Sequence, residues 1–194
     1  MLLLHRSKLT SSIRAATNGA LVPTIASASP ITTTARRISD GDACCCAVVY
    51  VSEGRNSALL DSLAAAAATL ANVGLIRQFR DPTYHRTGFT IGGKCPHSVA
   101  KASLEISRRA LLAVDLRLHE ASHPRIGVVD HVSVHPLGKG GQQIAHEAGV
   151  AIGKALSEEE GLPVLLYGDL NNGRGLAEVS NDMHLSDMYL RRNA

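Results

Sequence analysis

Cys44 to Val51 is a continuous apolar run of strand length, closed by the polar segment Ser52-Glu53-Gly54-Arg55-Asn56, and such a run bounded by turn residues reads as a buried strand. Asn56 or Ser57 then caps a helix to about Asn72, with Leu59, Leu63, Ala67 and Leu70 on one face. A second strand is predicted over Val73 to Phe79, followed by a loop around Asp81-Pro82, where proline interrupts any ladder. Arg86 to Ile91 reads as a third strand ended by Gly92-Gly93. The next helix is the clearest element: Val99, Ala102, Ile106, Ala110 and Ala113 form a stripe, while Lys101, Glu105 and Arg109 pair at i,i+4 on the other side. After a polar stretch from Arg117 to Arg125, Gly127 to His135 forms a fourth strand. Gly138 to Gly141 leads into a third helix carrying Ile144, Ala148, Ala151 and Ala155, and Leu162 to Tyr167 is a short fifth strand. The order β-α-β-β-α-β-α-β predicts an α+β chain, a two-layer ferredoxin-like (α/β-plait) sandwich. Beyond Gly168 the periodicity fades, and residues 169–194 read as a loop and tail.

Composition divides this chain of 194 residues in two. Residues 1–39 hold Arg6, Lys8, Arg14, Arg36 and Arg37, many Ser and Thr, and no acid. That is the composition of an organelle transit peptide, so residues 1–43 are set aside as a leader and the folded unit is expected over 44–168. A disordered leader without an address has the same composition. The expected location is a mitochondrion or plastid if the leader directs import, and the cytoplasm otherwise. The net charge of +3 belongs to the leader, since 15 basic and 15 acidic residues remain beyond residue 43. A neutral domain with no basic helix argues against nucleic acid as a partner. No run approaches the roughly 18 apolar residues needed to span a bilayer, so no membrane partner is expected.

Cys44, Cys45 and Cys46 alternate between the faces of a strand and do not converge on one metal, so they read as small buried apolar residues suited to a reducing compartment. His119-Glu120-Ala121-Ser122-His123 spells H-E-x-x-H, a zinc signature when both histidines lie one helical turn apart. Pro124 turns His123 out of the helical region and no third ligand lies downstream in helical context, so no metal is expected. His131 and His135 share one face of the fourth strand but stand about 13 Å apart, too far for a common ion; one reads as the wall of a site and the other as a strand-end residue. Gly138-Lys139-Gly140-Gly141 offers N–H groups to an anion, or is an ordinary glycine-rich turn. His123, in a loop beside Arg125, is placed for a general base near neutral pH, or is a loop histidine satisfied by backbone.

Taken in order, Ser52-Glu53-Gly54-Arg55-Asn56, His85-Arg86-Thr87, His123-Pro124-Arg125-Ile126-Gly127-Val128-Val129-Asp130 and Gly161-Leu162-Pro163-Val164 to Tyr167-Gly168 resemble the formiminotransferase N-terminal subdomain family. The resemblance implies an α/β-plait subdomain that binds folate near the seam with a second subdomain. It implies a transferase of one-carbon metabolism and histidine degradation, moving a formimino group from formiminoglutamate to tetrahydrofolate, a substrate. His123 matches the family's catalytic histidine. Given that reaction, Arg125 and Arg55 are candidate partners for substrate carboxylates, which a guanidinium fork suits, Ser52, Glu53, Gly54 and Asn56 would shape the loop facing the ligand, and Arg86 and Asp130 would brace it. It departs at Val49 and Tyr50, where the family carries a proline-asparagine pair. It departs again at Phe79, where the family carries an acid, with Asp81 the nearest replacement. The second subdomain is absent from these residues, so the expected partner is that subdomain or a second copy in a homodimer. The alternative is a non-catalytic folate-binding or interaction protein that retains the subdomain without the activity.

Overall fold

The computed structural model describes residues 2–4, 42–123 and 125–182. Its elements run β1 (Leu2–Leu4), β2 (Cys44–Val51), α1 (Ser57–Ala68), β3 (Val73–Asp81), β4 (Arg86–Gly93), α2 (Pro96–Ala113), β5 (Val129–Leu137), α3 (Gly141–Glu158), β6 (Val164–Leu166) and α4 (Leu176–Asp182). From β2 to β6 this is the predicted order. The strands form one sheet in the order β3-β4-β2-β5-β1-β6. β2 lies antiparallel to β4 and β5, and β3 lies antiparallel to β4. This places the first long strand inside the sheet with its two α-crossovers, as the α/β-plait requires.

Alternation decides which face is covered. Val49, Val51, Phe89, Ile91, Val129 and Val132 point to the helical layer, where they meet Leu60, Leu63, Ile106, Ile152 and Leu156 in one core. Each such fully buried side chain contributes roughly 1.5–3 kcal/mol of transfer free energy. Tyr50, between Val49 and Val51, points to the opposite face, so the site's side chains stand on the side the helices leave open.

Local chemistry sets the boundaries. The Asn56 side chain caps α1 by accepting from the Leu59 N–H at 3.1 Å. The helix ends at Ala68, short of the predicted Asn72, which adopts φ 62° at the exit. Pro96 opens α2, where a missing N–H costs nothing. Ser103 and Ser107, on the buried face of that helix, donate to Val99 O and Ser103 O at 2.9 and 2.8 Å. β4 continues through Gly92-Gly93 instead of stopping there. A Cβ on Gly93 would lie 2.7 Å from Asn72 O and 3.1 Å from Val99 Cγ2, so glycine is what lets the strand pass beneath α2. Gly138 is required in the same way, since a Cβ would lie 2.2 Å from Asp42 O at a φ of 69°. Backbone geometry thus explains the glycine-rich turn before α3.

Two expectations change. Leu2–Leu4, set aside with the leader, is a strand paired with β5 and β6; composition reports charge and polarity, and neither reveals strand pairing. The predicted loop beyond Gly168 contains a 3-10 turn at Asp169–Asn171 and the helix α4, whose single turn-pair is too short for periodicity to show. Met1 and residues 5–41 of the leader, Pro124 and the end of the tail (183–194) lie outside the described residues. Cys44 and Cys45 are buried, Cys46 is half-buried, and all are free thiols. Burial pushes the Cys45 thiol up to about 11.

Candidate active site

The loop after β2 is tied to the segment entering β5. Ser52 donates its N–H to Val128 O and its hydroxyl to Gly127 O, both at 2.8 Å. Glu53 folds back so that Oε1 accepts from Arg55 N at 2.7 Å and Asn56 N at 3.0 Å. Burial pulls its carboxyl upward, but these N–H donors and the nearby His85 outweigh burial and hold it below the usual range. Thr87 donates to Glu53 O at 2.6 Å. At Gly54 a Cβ would sit 2.5 Å from Asp81 O and 2.8 Å from Arg86 N, two backbone atoms that have no room to yield. The polar groups of Ser52 are therefore used on the segment entering β5, those of Glu53 within the loop and that of Asn56 on the cap of α1, and Gly54 lets the loop lie flat against the β3–β4 turn.

That turn carries His85, held in the left-handed region at φ 50°. Its Nδ1 accepts from Gly54 N at 2.9 Å, and its ring stacks on His119 at 4.3 Å between centroids. His119 donates from Nε2 to His85 O at 3.0 Å, which leaves its buried Nδ1 as an acceptor without a hydrogen-bond partner. Burial lowers both imidazole pKa values, with Arg125 adding to the effect at each. His119 follows a 3-10 turn at Leu116–Leu118, and the residues from His119 to His123 form no helix. The two histidines of the H-E-x-x-H string thus turn to different partners, without the helical spacing that this particular signature requires.

His123 faces the open side. Its Nε2 accepts from Arg86 Nη1 at 3.2 Å, and its ring lies 5.1 Å from that of Tyr84. Because a guanidinium only donates, Nε2 carries the lone pair in this arrangement. Arg86 also donates from Nη2 to Asp130 Oδ1 at 2.8 Å. Asp130 is only 4% exposed; burial raises its carboxyl above the usual range, while Arg86 and His123 pull it back. The chain Asp130–Arg86–His123 joins β5, β4 and the loop before β5.

Behind Arg86 stands a row of rings that the sequence reading did not assemble. The guanidinium lies 4.4 Å from the Tyr50 ring centroid. Tyr50 stacks on His131 at 5.5 Å, and His131 on Tyr167 at 5.9 Å. Burial pushes His131 down to about 4 and raises Tyr167, so the phenol donates to a neutral imidazole across 2.5 Å. Register partners Phe79, Gly88, Tyr50 and His131 cross the sheet in line. Gly88 makes room for Tyr50, whose Cε1 would be 3.2 Å from a Cβ there. Alternation of apolar residues marks each strand's faces but not which strands are neighbours, so this row was hidden until the register was known.

Of the other predicted residues, Arg55 donates from Nε to Pro82 O at 3.0 Å, and half-buried Arg125 reaches Leu116 O at 3.4 Å. Phe79 is 53% exposed on the open face with Arg77 5.3 Å from its ring centroid. Asp81 accepts from Tyr84 N at 2.8 Å, so its carboxylate closes the turn. His131 is the wall histidine. His135 sits near the strand end, with Ser133 Oγ at 3.0 Å.

Residues 44–186 match the family model of the formiminotransferase domain, N-terminal subdomain. A formiminotransferase cyclodeaminase-like protein of Arabidopsis thaliana is 32% identical over 131 residues, covering 63% of this chain and 43% of that protein. The glutamate formimidoyltransferase of Streptococcus pyogenes is 30% identical over 118 residues, covering 61% of this chain and 39% of that protein. The glutamate formimidoyltransferase of Thermoplasma acidophilum is 28% identical, with 73% and 44% covered. The chain spans less than half the length of these relatives.

Proposed function

The chain belongs to the formiminotransferase N-terminal subdomain family, and from that premise we propose that it supplies one wall of a folate-dependent formimino-transfer site, with a second subdomain or a second copy supplying the other. The observation that carries the proposal is the Asp130–Arg86–His123 chain on the open sheet face, built from residues of the family's motifs. N5 of tetrahydrofolate attacks the formimino carbon of formiminoglutamate, and as that bond forms its proton passes to Nε2 of His123. The bond from the formimino carbon to the glutamate nitrogen then breaks, and His123 returns the proton to the leaving nitrogen. For this to happen the incoming amine displaces the Arg86 N–H from Nε2. The freed Nη1 of Arg86, with Arg55 and Arg125, is suited to the carboxylates of the two substrates, while Nη2 stays on Asp130. Asp130 keeps Arg86 in place throughout.

A second reading has an observation of its own. Where the family resemblance places an acid, Phe79 projects an aromatic ring, which neither orients nor charge-stabilises an imidazolium. On this reading the subdomain binds folate or a protein without turnover. Titration with tetrahydrofolate followed by a formimino-transfer assay separates the two. Turnover lost in His123→Ala with folate binding retained supports transfer, and binding without turnover in the unaltered chain supports the second reading. Full activity in His123→Ala sinks the assignment of the proton transfers.

A further inference from the structure

Among the described residues, β6 reaches the rest of the sheet through β1 alone. Leu2, Leu3 and Leu4 pair with Leu166, Leu165 and Val164 on one side, while Leu2 and Leu3 pair with Val132 and His131 on the other. One leucine tripeptide therefore holds the edge strand to the strand that carries Asp130 and His131. Both ladders of β1 are antiparallel, so β5 and β6 run parallel to each other with one strand between them. At about 4.8 Å per strand spacing, their backbones stand near 10 Å apart, too far for direct hydrogen bonds. Sliding them together would disturb the packing of Val132, Val164 and Leu166 against the core. Without β1, two facing rows of N–H and C=O groups would line a slot one strand wide, which an extended segment fits.

We infer that the gap between β5 and β6 is a strand-acceptor site whose occupant is this chain's own Leu2–Leu4, and that it accepts the same segment supplied by a separate molecule. A three-residue strand makes few backbone hydrogen bonds, so the occupant exchanges far more readily than β2 or β4. Removal of the leader, as its composition would suggest, empties the slot, unpairs β6 and frees the outer edge of β5 beside Asp130. Leader retention and sheet integrity are thereby coupled.

The test is amide hydrogen exchange on the full chain carrying Leu3→Pro, which deletes a backbone donor, with Leu3→Ala as the control that keeps it. The β6 amides facing β1, and whichever of His131 and Val132 directs its N–H to β1 rather than to β2, should exchange at least about tenfold faster in Leu3→Pro. They should stay at parental rates in Leu3→Ala, with the β3–β4 amides unchanged in both. A synthetic peptide of residues 1–8 in excess should restore protection, and its Leu3→Pro counterpart should not. Parental exchange rates in Leu3→Pro, or no restoration by the peptide, overturn the inference. Should Leu3→Pro unfold the chain, as lost β3–β4 protection would reveal, a fluorescent form of the peptide decides on the unaltered chain. Exchange into the slot should raise its anisotropy, and an unchanged signal overturns the inference.

Discussion

Arg86→Met is the sharpest probe of how the site is built. It leaves Asp130, 4% exposed, without the guanidinium at 2.8 Å that compensates its charge. Breaking a buried ion pair by removing one partner costs about 3–5 kcal/mol, and the one-fifth exposure of the Arg86 side chain places this pair at the lower end. Loss of the guanidinium from the Tyr50 face adds about 0.5–1 kcal/mol. Against this, the substitution removes the buried Arg86 Nε, which has no hydrogen-bond partner, and relieves about 1 kcal/mol. The sum is near 3 kcal/mol at pH 7.5, equivalent to a fall of about 6–12 °C in Tm for a domain of this size. The pH dependence has a definite sign. Asp130 has a folded pKa raised above its unfolded value, so its contribution is full below the unfolded value and is lost as pH rises through the folded one. Arg86 opposes that rise. Its removal moves the folded value further up, and the penalty of Arg86→Met should be smaller at pH 5 than at pH 7.5. Urea denaturation of Arg86→Met, Asp130→Asn and the double variant at both pH values measures all of this. The double variant should be more stable than Arg86→Met alone, because the stranded charge is gone. A loss below about 1 kcal/mol in Arg86→Met, or no recovery in the double variant, would refute the reasoning.

Other consequences can be checked with simpler measurements. Gly54→Ala should destabilise by about 1–3 kcal/mol in chemical denaturation, since its methyl meets Asp81 O and Arg86 N at 2.5 and 2.8 Å. His131, pushed down to about 4 by burial against an unfolded value near 6.5, contributes stability that is full above pH 6.5 and lost as pH falls toward 4. His131→Phe should therefore flatten the decline of Tm over that window, and an unchanged slope would count against a buried neutral imidazole. Under limiting iodoacetamide, mass spectrometry should find Cys95 modified first, because hydrogen bonds from Ser98 hold its thiol below the usual range. Cys45, raised to about 11 by burial, should stay unmodified until the chain unfolds.

Sequence pattern disclosed what depends on neighbours along the chain. The run from Cys44 to Val51, the stripe from Val99 to Ala110 and the cap at Asn56 are local signals, and each became the element expected. The segment order then specified the layers. What remained hidden depends on pairing. Tyr50, His131 and Tyr167 come from three separate parts of the chain, and only the register Tyr50↔His131 and the hydrogen bond to Tyr167 join them. Strand bulges added to this. One between Leu75 and Arg77 shifts the face of everything after it in β3, and another beside Tyr50 and Val51 alters the step at which Asp130 sits between Val129 and His131. A period-2 reading passes over both.

The site's residues divide by the same principle. His85-Arg86-Thr87 reads as one string, yet its three side chains do three jobs. His85 bonds to Gly54 N, Thr87 donates to Glu53 O, and Arg86 alone reaches the open face to meet His123 and Asp130. The left-handed turn at His85 makes this possible, because it redirects the strand so that the imidazole points back under the loop while the next side chain points outward. A substitution that released the turn would therefore misplace Arg86 without touching it. The buried stack of His85 on His119 resists that release, and it ties the string His85 to Thr87 to the residues that lead into the string His123 to Asp130.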